Sequence, residues 1–251
     1  MGVLKAKVGD IFTSKQCGEF IVVEYINSAN VVVKFLDTGY ETITRHSQVL
    51  SGQVKDRSLP SVFGVGIIGD SYSCWDGSKI RKEYDLWSSM LARCYSPKSH
   101  KARETYIGCT VSENFKSYTY FYEWCNRQVG FSENNFELDK DLLSGVSKYY
   151  SEGTCVFLPK EINVAIIKNN RKRSDFPSGV TYNKNNGNFV VKLSVSNGRR
   201  HIGVFNSVTD AFKAYKRAKE DYIIELAEKW KGKIDNRAYE ALMKYEVNID
   251  D

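Results

Sequence analysis

Apolar and polar residues alternate over the first sixty positions. Phe12, Phe20, Val22, Val31, Val33 and Phe35 fall at strand spacing, and turn residues interrupt them at Gly18, Asn27-Ser28, Asn30 and Asp37-Thr38-Gly39. Short strands broken this often predict an all-β meander closing into a small Tudor-like barrel over residues 1–68. Gly52, Gly64, Gly66, Gly69 and Pro60 then make an irregular connector. The period changes to three and four at Tyr84, Trp87, Met90, Leu91, Cys94 and Tyr95, and again at Phe115, Tyr118, Phe121, Tyr122 and Cys125. Both stripes predict helices with one buried face. Two short apolar strands follow at 136–139 and 154–158, and Pro159 opens a helix carrying Ile162 and Asn163.

Alternation returns near residue 179. Three strands are predicted at 179–183, 189–195 and 200–205, joined by Asn185-Asn186-Gly187 and Asn197-Gly198. Asn-Gly supplies the positive φ that a tight hairpin needs. Ser207 and Asp210 cap a long helix whose apolar face is Phe212, Tyr215, Tyr222, Leu226 and Trp230. A shorter helix at 236–245 is expected to pack Tyr239, Leu242 and Met243. The expected class is α+β in three modules, at 1–68, 75–168 and 174–251.

Simple alternation sends Val180, Tyr182, Phe189, Val191, Leu193, Val195 and Ile202 toward the long helix, with Val204 or Phe205 beside them. Thr181, Asn183, Lys192, Ser194, Arg199 and His201 then face outward, with Lys184 and Arg200 as further cations. These side chains donate to phosphate oxygens and base edges. Charge sharpens the picture. The 251 residues hold 36 Lys and Arg against 30 Asp and Glu, a net +6. Between 168 and 200, Lys168, Arg171, Lys172, Arg173, Lys184, Lys192, Arg199 and Arg200 oppose only Asp175, a local +7. The rest of the chain is therefore close to neutral, and an anionic partner is expected at this end. No window approaches the ~20 apolar residues of a membrane helix. The N-terminus lacks the apolar stretch of a secretion signal, and the six cysteines include no C-x-x-C pair. They read as reduced, mostly buried thiols in a cytosol.

Two resemblances add to this reading. Ser178-Gly179-Val180-Thr181-Tyr182, Gly187-Asn188-Phe189-Val190-Val191-Lys192-Leu193, His201-Ile202-Gly203-Val204-Phe205 and Ala211-Phe212-Lys213-Ala214-Tyr215 together resemble the Apetala-two DNA-binding domain. The resemblance implies a helix-backed sheet that lies in the major groove of double-stranded DNA. That family favours Arg and Trp at reading positions where this chain has Thr181, Asn183, Ser194 and His201. Backbone-dominated, salt-sensitive binding is the expectation that follows.

The middle of the chain resembles phage-encoded HNH endonucleases, which often carry an Apetala-two-like domain behind them. The residues are Tyr84-Asp85-Leu86-Trp87 through Cys94-Tyr95, Phe121-Tyr122-Glu123-Trp124, Leu138-Asp139-Lys140-Asp141, Tyr150-Ser151-Glu152-Gly153-Thr154-Cys155 and Ile162-Asn163. The resemblance implies a ββα element holding Mg²⁺, or another divalent cation, against the scissile phosphate. Asp139 matches the strand carboxylate and Asn163 the helix ligand. Lys140 stands where the family most often has its general-base His, and Thr154 where an Asn is usual. The implied catalytic group is thus Asp139, Lys140 and Asn163, with Asp139 and Asn163 as metal ligands. His46, His100 and His201 all lie outside this motif. Two functions stay open. One is a metal-dependent DNA endonuclease of the HNH class, acting in the cytoplasm of an infected bacterial host. The other is a DNA-binding or host-protein-binding factor that kept the fold without the cut.

Overall fold

Phe20, Val22, Val31, Val33 and Phe35, whose alternation predicts the meander, are all buried. They line one face of a four-stranded antiparallel sheet in the order β1 (Ile11–Ser14), β2 (Gly18–Asn27), β3 (Asn30–Phe35), β4 (Glu41–Thr44). The computed structural model describes residues 6–145, 147–167 and 176–249. Residues 1–5 lie outside them, as do Lys168, Arg171, Lys172, Arg173 and Asp175 of the basic run. The expected barrel does not close among the described residues. Two irregularities bend β2, but β1 and β4 remain edges. After β4 the chain turns into helix α1 (His46–Ser51), where closure would need a bridging strand. Val49 and Val54 complete the core, and Ser14 Oγ donates to the Val54 carbonyl at 2.7 Å.

The chain divides into two compact units, one ending at Glu123 and the other beginning at Trp124. Beyond α1, the first unit contains β5 (Trp75–Asp76), β6 (Lys79–Ile80), α2 (Lys82–Tyr95), α3 (Pro97–Ala102), β7 (Thr110–Val111) and the start of α4 (Tyr118–Arg127). The predicted stripe of α2 buries Trp87, Met90, Leu91 and Cys94. Trp87 Nε1 donates to the Phe115 carbonyl at 2.7 Å, which satisfies a polar atom inside an aromatic core. The connector passes so close to α2 that a Cβ at Gly66 would sit 2.5 Å from Leu91 Cδ1.

The second unit begins with a β-β-α element. β8 (Phe136–Asp139) pairs antiparallel with β10 (Val156–Pro159), with Asp139 opposite Val156 and Glu137 opposite Leu158. The intervening loop holds α5 (Asp141–Ser144) and β9 (Tyr149–Tyr150), and α6 (Lys160–Ile166) follows directly. Pro159 caps α6 instead of entering its first turn, because it still belongs to β10. The rest is the antiparallel sheet β11 (Val180–Asn183), β12 (Asn188–Val195), β13 (Gly198–Phe205), then α7 (Val208–Lys229) and α8 (Asn236–Met243). Ser207 Oγ accepts from the Asp210 amide at 3.1 Å, so the predicted cap starts α7.

Helix α7 serves as a common support within this unit. It packs on β12 and β13 and also contacts α6. Near its C-terminus, Lys229 Nζ reaches Glu161 Oε1 of α6 at 2.6 Å, and Trp230 Nε1 donates to the same oxygen at 2.5 Å. Lys219 donates to the Ala165 carbonyl near the end of α6, and burial pushes this ammonium's pKa down. In α8 the buried residues are Ala238 and Leu242, one turn apart, while Met243 is 37% exposed. An eight-residue helix buries a single narrow face, so the expected packing of Met243 does not occur.

Candidate nucleic-acid interface and metal-binding element

The free face of the C-terminal sheet follows from register, because directly opposed residues on antiparallel strands share a face. Val180 lies opposite Val191, and Val191 opposite Gly203, with Val191 fully buried toward α7. Four rows therefore point the other way. They are Asn183–Asn188, Thr181–Val190–Val204, Lys192–His201 and Ser194–Arg199. Thr181, Lys192, Ser194, Arg199 and His201 are all exposed, so five of the expected residues stand together on one solvent-facing surface.

Arg200 and Lys184 lie elsewhere. Arg200 opposes Leu193 and so turns to the helix side, where it pairs with Glu225 at 3.8 Å and lies over the Tyr222 ring. Asn183 keeps the outward face at the hairpin end of the sheet, where its Oδ1 accepts from the Asn185 amide at 3.1 Å and shapes the turn. Lys184 is exposed in that turn. Strict alternation fails on β13. The register slips between Val191 and Lys192, leaving Ile202 as an extra residue. Such a bulge inverts every later side chain, so Phe205 turns inward and Val204 outward, where it is 52% exposed. The cationic face yields a direct expectation. Lys192→Ala with Arg199→Ala should lower the salt slope of duplex binding by about two, with thermal unfolding unchanged. Titrations across a salt series measure this.

The β-β-α element assembles its polar groups across 26 positions of sequence. Asn163 Nδ2 on α6 donates to Glu137 Oε2 on β8 at 2.7 Å. A carboxylate only accepts, so the amide nitrogen must face Glu137 and Asn163 Oδ1 is turned away from it. Asp139 stands two residues along the same strand and therefore on the same face as Glu137. Burial pushes the Asp139 pKa up, opposed by the Leu142 amide, which donates to Oδ1 at 2.8 Å. Alternation along β8 marks Glu137, although the sequence reading passed over it. Its partner on α6 could be found only in three dimensions.

Lys140 is held away from solvent. It is 9% exposed, and its ammonium pairs with Asp141 and donates to the Ser147 carbonyl at 3.0 Å. It also lies 5.5 Å from the Tyr150 ring centre. Thr154 Oγ1 donates to the Tyr149 carbonyl at 2.8 Å and accepts from the Ser151 amide at 2.9 Å, which ties the same loop. Lys140→Ala should therefore lower the thermal stability of the second unit by about 1–3 kcal/mol while leaving duplex affinity unchanged. Differential scanning calorimetry alongside a binding titration separates the two effects.

Among the described residues, no three His, Cys, Asp or Glu side chains gather as a metal site. The element offers two carboxylates and one carboxamide oxygen. Oxygen donors are the ligand type that a hard divalent cation such as Mg²⁺ takes. Among the described residues, no helix is long and apolar enough to cross a membrane. No protein-family model matches this chain, and neither a curated protein nor a solved structure matches it.

Proposed function

We propose that this chain is a phage-type duplex-DNA-binding protein and a metal-dependent DNA endonuclease of the HNH class. The carrying observation is the shared support of α7. It backs the cationic sheet and is bonded to the helix that presents Asn163. The exposed cationic face and the helix that carries Asn163 are thereby held by one helix within one unit. In this reading Lys192, Arg199 and His201 meet phosphates and base edges. Asp139 and Asn163 would hold the cation, and Glu137 orients the Asn163 amide. When bound, the cation would neutralise charge developing on the scissile phosphate. Lys140 braces the loop that carries Asp139 and leaves the phosphate to other groups. The modular reading, with an N-terminal scaffold, a β-β-α centre and a DNA-reading sheet, belongs to the same proposal.

A second reading has its own observation. Lys140 stands where a general base would be expected, yet its ammonium is already bonded within the loop. A DNA-binding or host-protein-binding factor that does not cut would have the same architecture. Supercoiled plasmid incubated with the full chain, with and without Mg²⁺ or Mn²⁺, decides between them. Nicked or linear product that depends on the metal is expected. Intact plasmid under conditions where the protein binds DNA favours the second reading.

A further inference from the structure

The free face of the C-terminal sheet is polar at both ends. Between the Asn183–Asn188 row and the Lys192–His201 row, Val190 and Val204 stand side by side with Thr181 across all three strands. Val204 is 52% exposed because the bulge at Ile202 turns it outward. A strand spacing near 4.8 Å makes this row about 10 Å wide, and two residues along the strand place the Lys192–His201 row about 7 Å away. The row fits the floor of a major groove about 12 Å wide.

We propose that Val190, Val204 and the Thr181 methyl form a specificity surface for thymine. This rests on the reading of the sheet as a duplex-DNA interface. The side chains of Val190 and Val204 cannot hydrogen-bond. Against the edge of cytosine or guanine they meet polar atoms and no methyl group to bury. Thymine is the base that presents a methyl group to the major groove. Lys192, His201 and Arg199 supply the charge complementarity that holds the duplex against the row. Attraction to phosphate and discrimination between bases thus fall to different rows of one face.

The test uses the full chain and two duplexes of alternating A and T, identical except that uracil replaces every thymine in one. Only methyl groups differ. Each methyl buried against the row is expected to tighten binding about four-fold, so the thymine duplex should bind about four- to fifteen-fold more tightly. Val204→Ala should move that ratio toward one while leaving affinity for the uracil duplex nearly unchanged. Lys192→Ala should weaken binding to both duplexes equally and preserve the ratio. Equal binding of the two duplexes by the wild-type protein overturns the inference and leaves salt-sensitive DNA binding standing. An unchanged ratio in Val204→Ala overturns the residue assignment. Absence of binding to either duplex at low salt overturns the DNA reading itself, and the thymine surface with it.

Discussion

Asp139→Ala is expected to abolish metal-dependent nicking of supercoiled plasmid while duplex affinity stays within about two-fold of wild type. The cation would lose its strand carboxylate, and with it several kcal/mol of transition-state stabilisation, a rate loss of about a thousand-fold or more. Affinity should survive because the cationic rows lie on β12 and β13. Asp139 has a second, structural role to separate out. Its Oδ1 accepts from the Leu142 amide at 2.8 Å at the start of α5, so the Ala variant also loses a local cap. Asp139→Asn keeps an acceptor for that amide and removes the charge. It should melt like the wild type and still fail to cut. Cutting by Asp139→Asn at the wild-type rate would sink the nuclease reading. Glu137→Gln preserves an acceptor for Asn163 Nδ2, so it should retain more activity than Glu137→Ala.

The other large effect concerns folding. Val191→Asp should remove the cooperative thermal transition of the second unit and all duplex binding with it. Val191 is fully buried, opposed by Val180 and Gly203, on the face of the sheet that packs against α7. A carboxylate there has no partner, and burying it costs several kcal/mol, comparable with the whole stability of a domain. Val191→Ala leaves a small cavity instead and should cost about 2 kcal/mol. Val204→Asp is the control, because it places the same charge on the opposite, exposed face. That variant should fold normally and bind DNA weakly, since its carboxylate repels phosphate. If Val204→Asp unfolds the unit as Val191→Asp does, the assignment of the two faces is wrong. Circular-dichroism melts of the three variants decide the matter.

Much of the architecture was legible in short windows of sequence. A period of two placed strands at β2, β3 and β12, and a period near 3.6 placed α2 and α7, because these patterns repeat within one element and record which face meets the core. Asn-Gly turns and the Ser207 cap were legible for the same reason, since each acts on backbone groups two or three residues away. Asp139 and Asn163 were also found as residues of a strand and the helix after it.

Long-range pairing decided the rest. Whether the N-terminal sheet closes depends on β1 meeting β4, some thirty residues apart, and the chain entered α1 instead. One extra residue at Ile202 inverted Val204 and Phe205, and only the register against β12 reveals it. Arg200 sat in a basic run, yet its place opposite Leu193 of β12 turned it to the helix side, beside Glu225 of α7. Lys140 was placed by the Ser147 carbonyl, and Glu137 by an amide on α6. In each case the deciding partner lies on another turn or element. Local periodicity carries no trace of that partner, because electrostatic and hydrogen-bond partners are chosen by proximity in the folded chain.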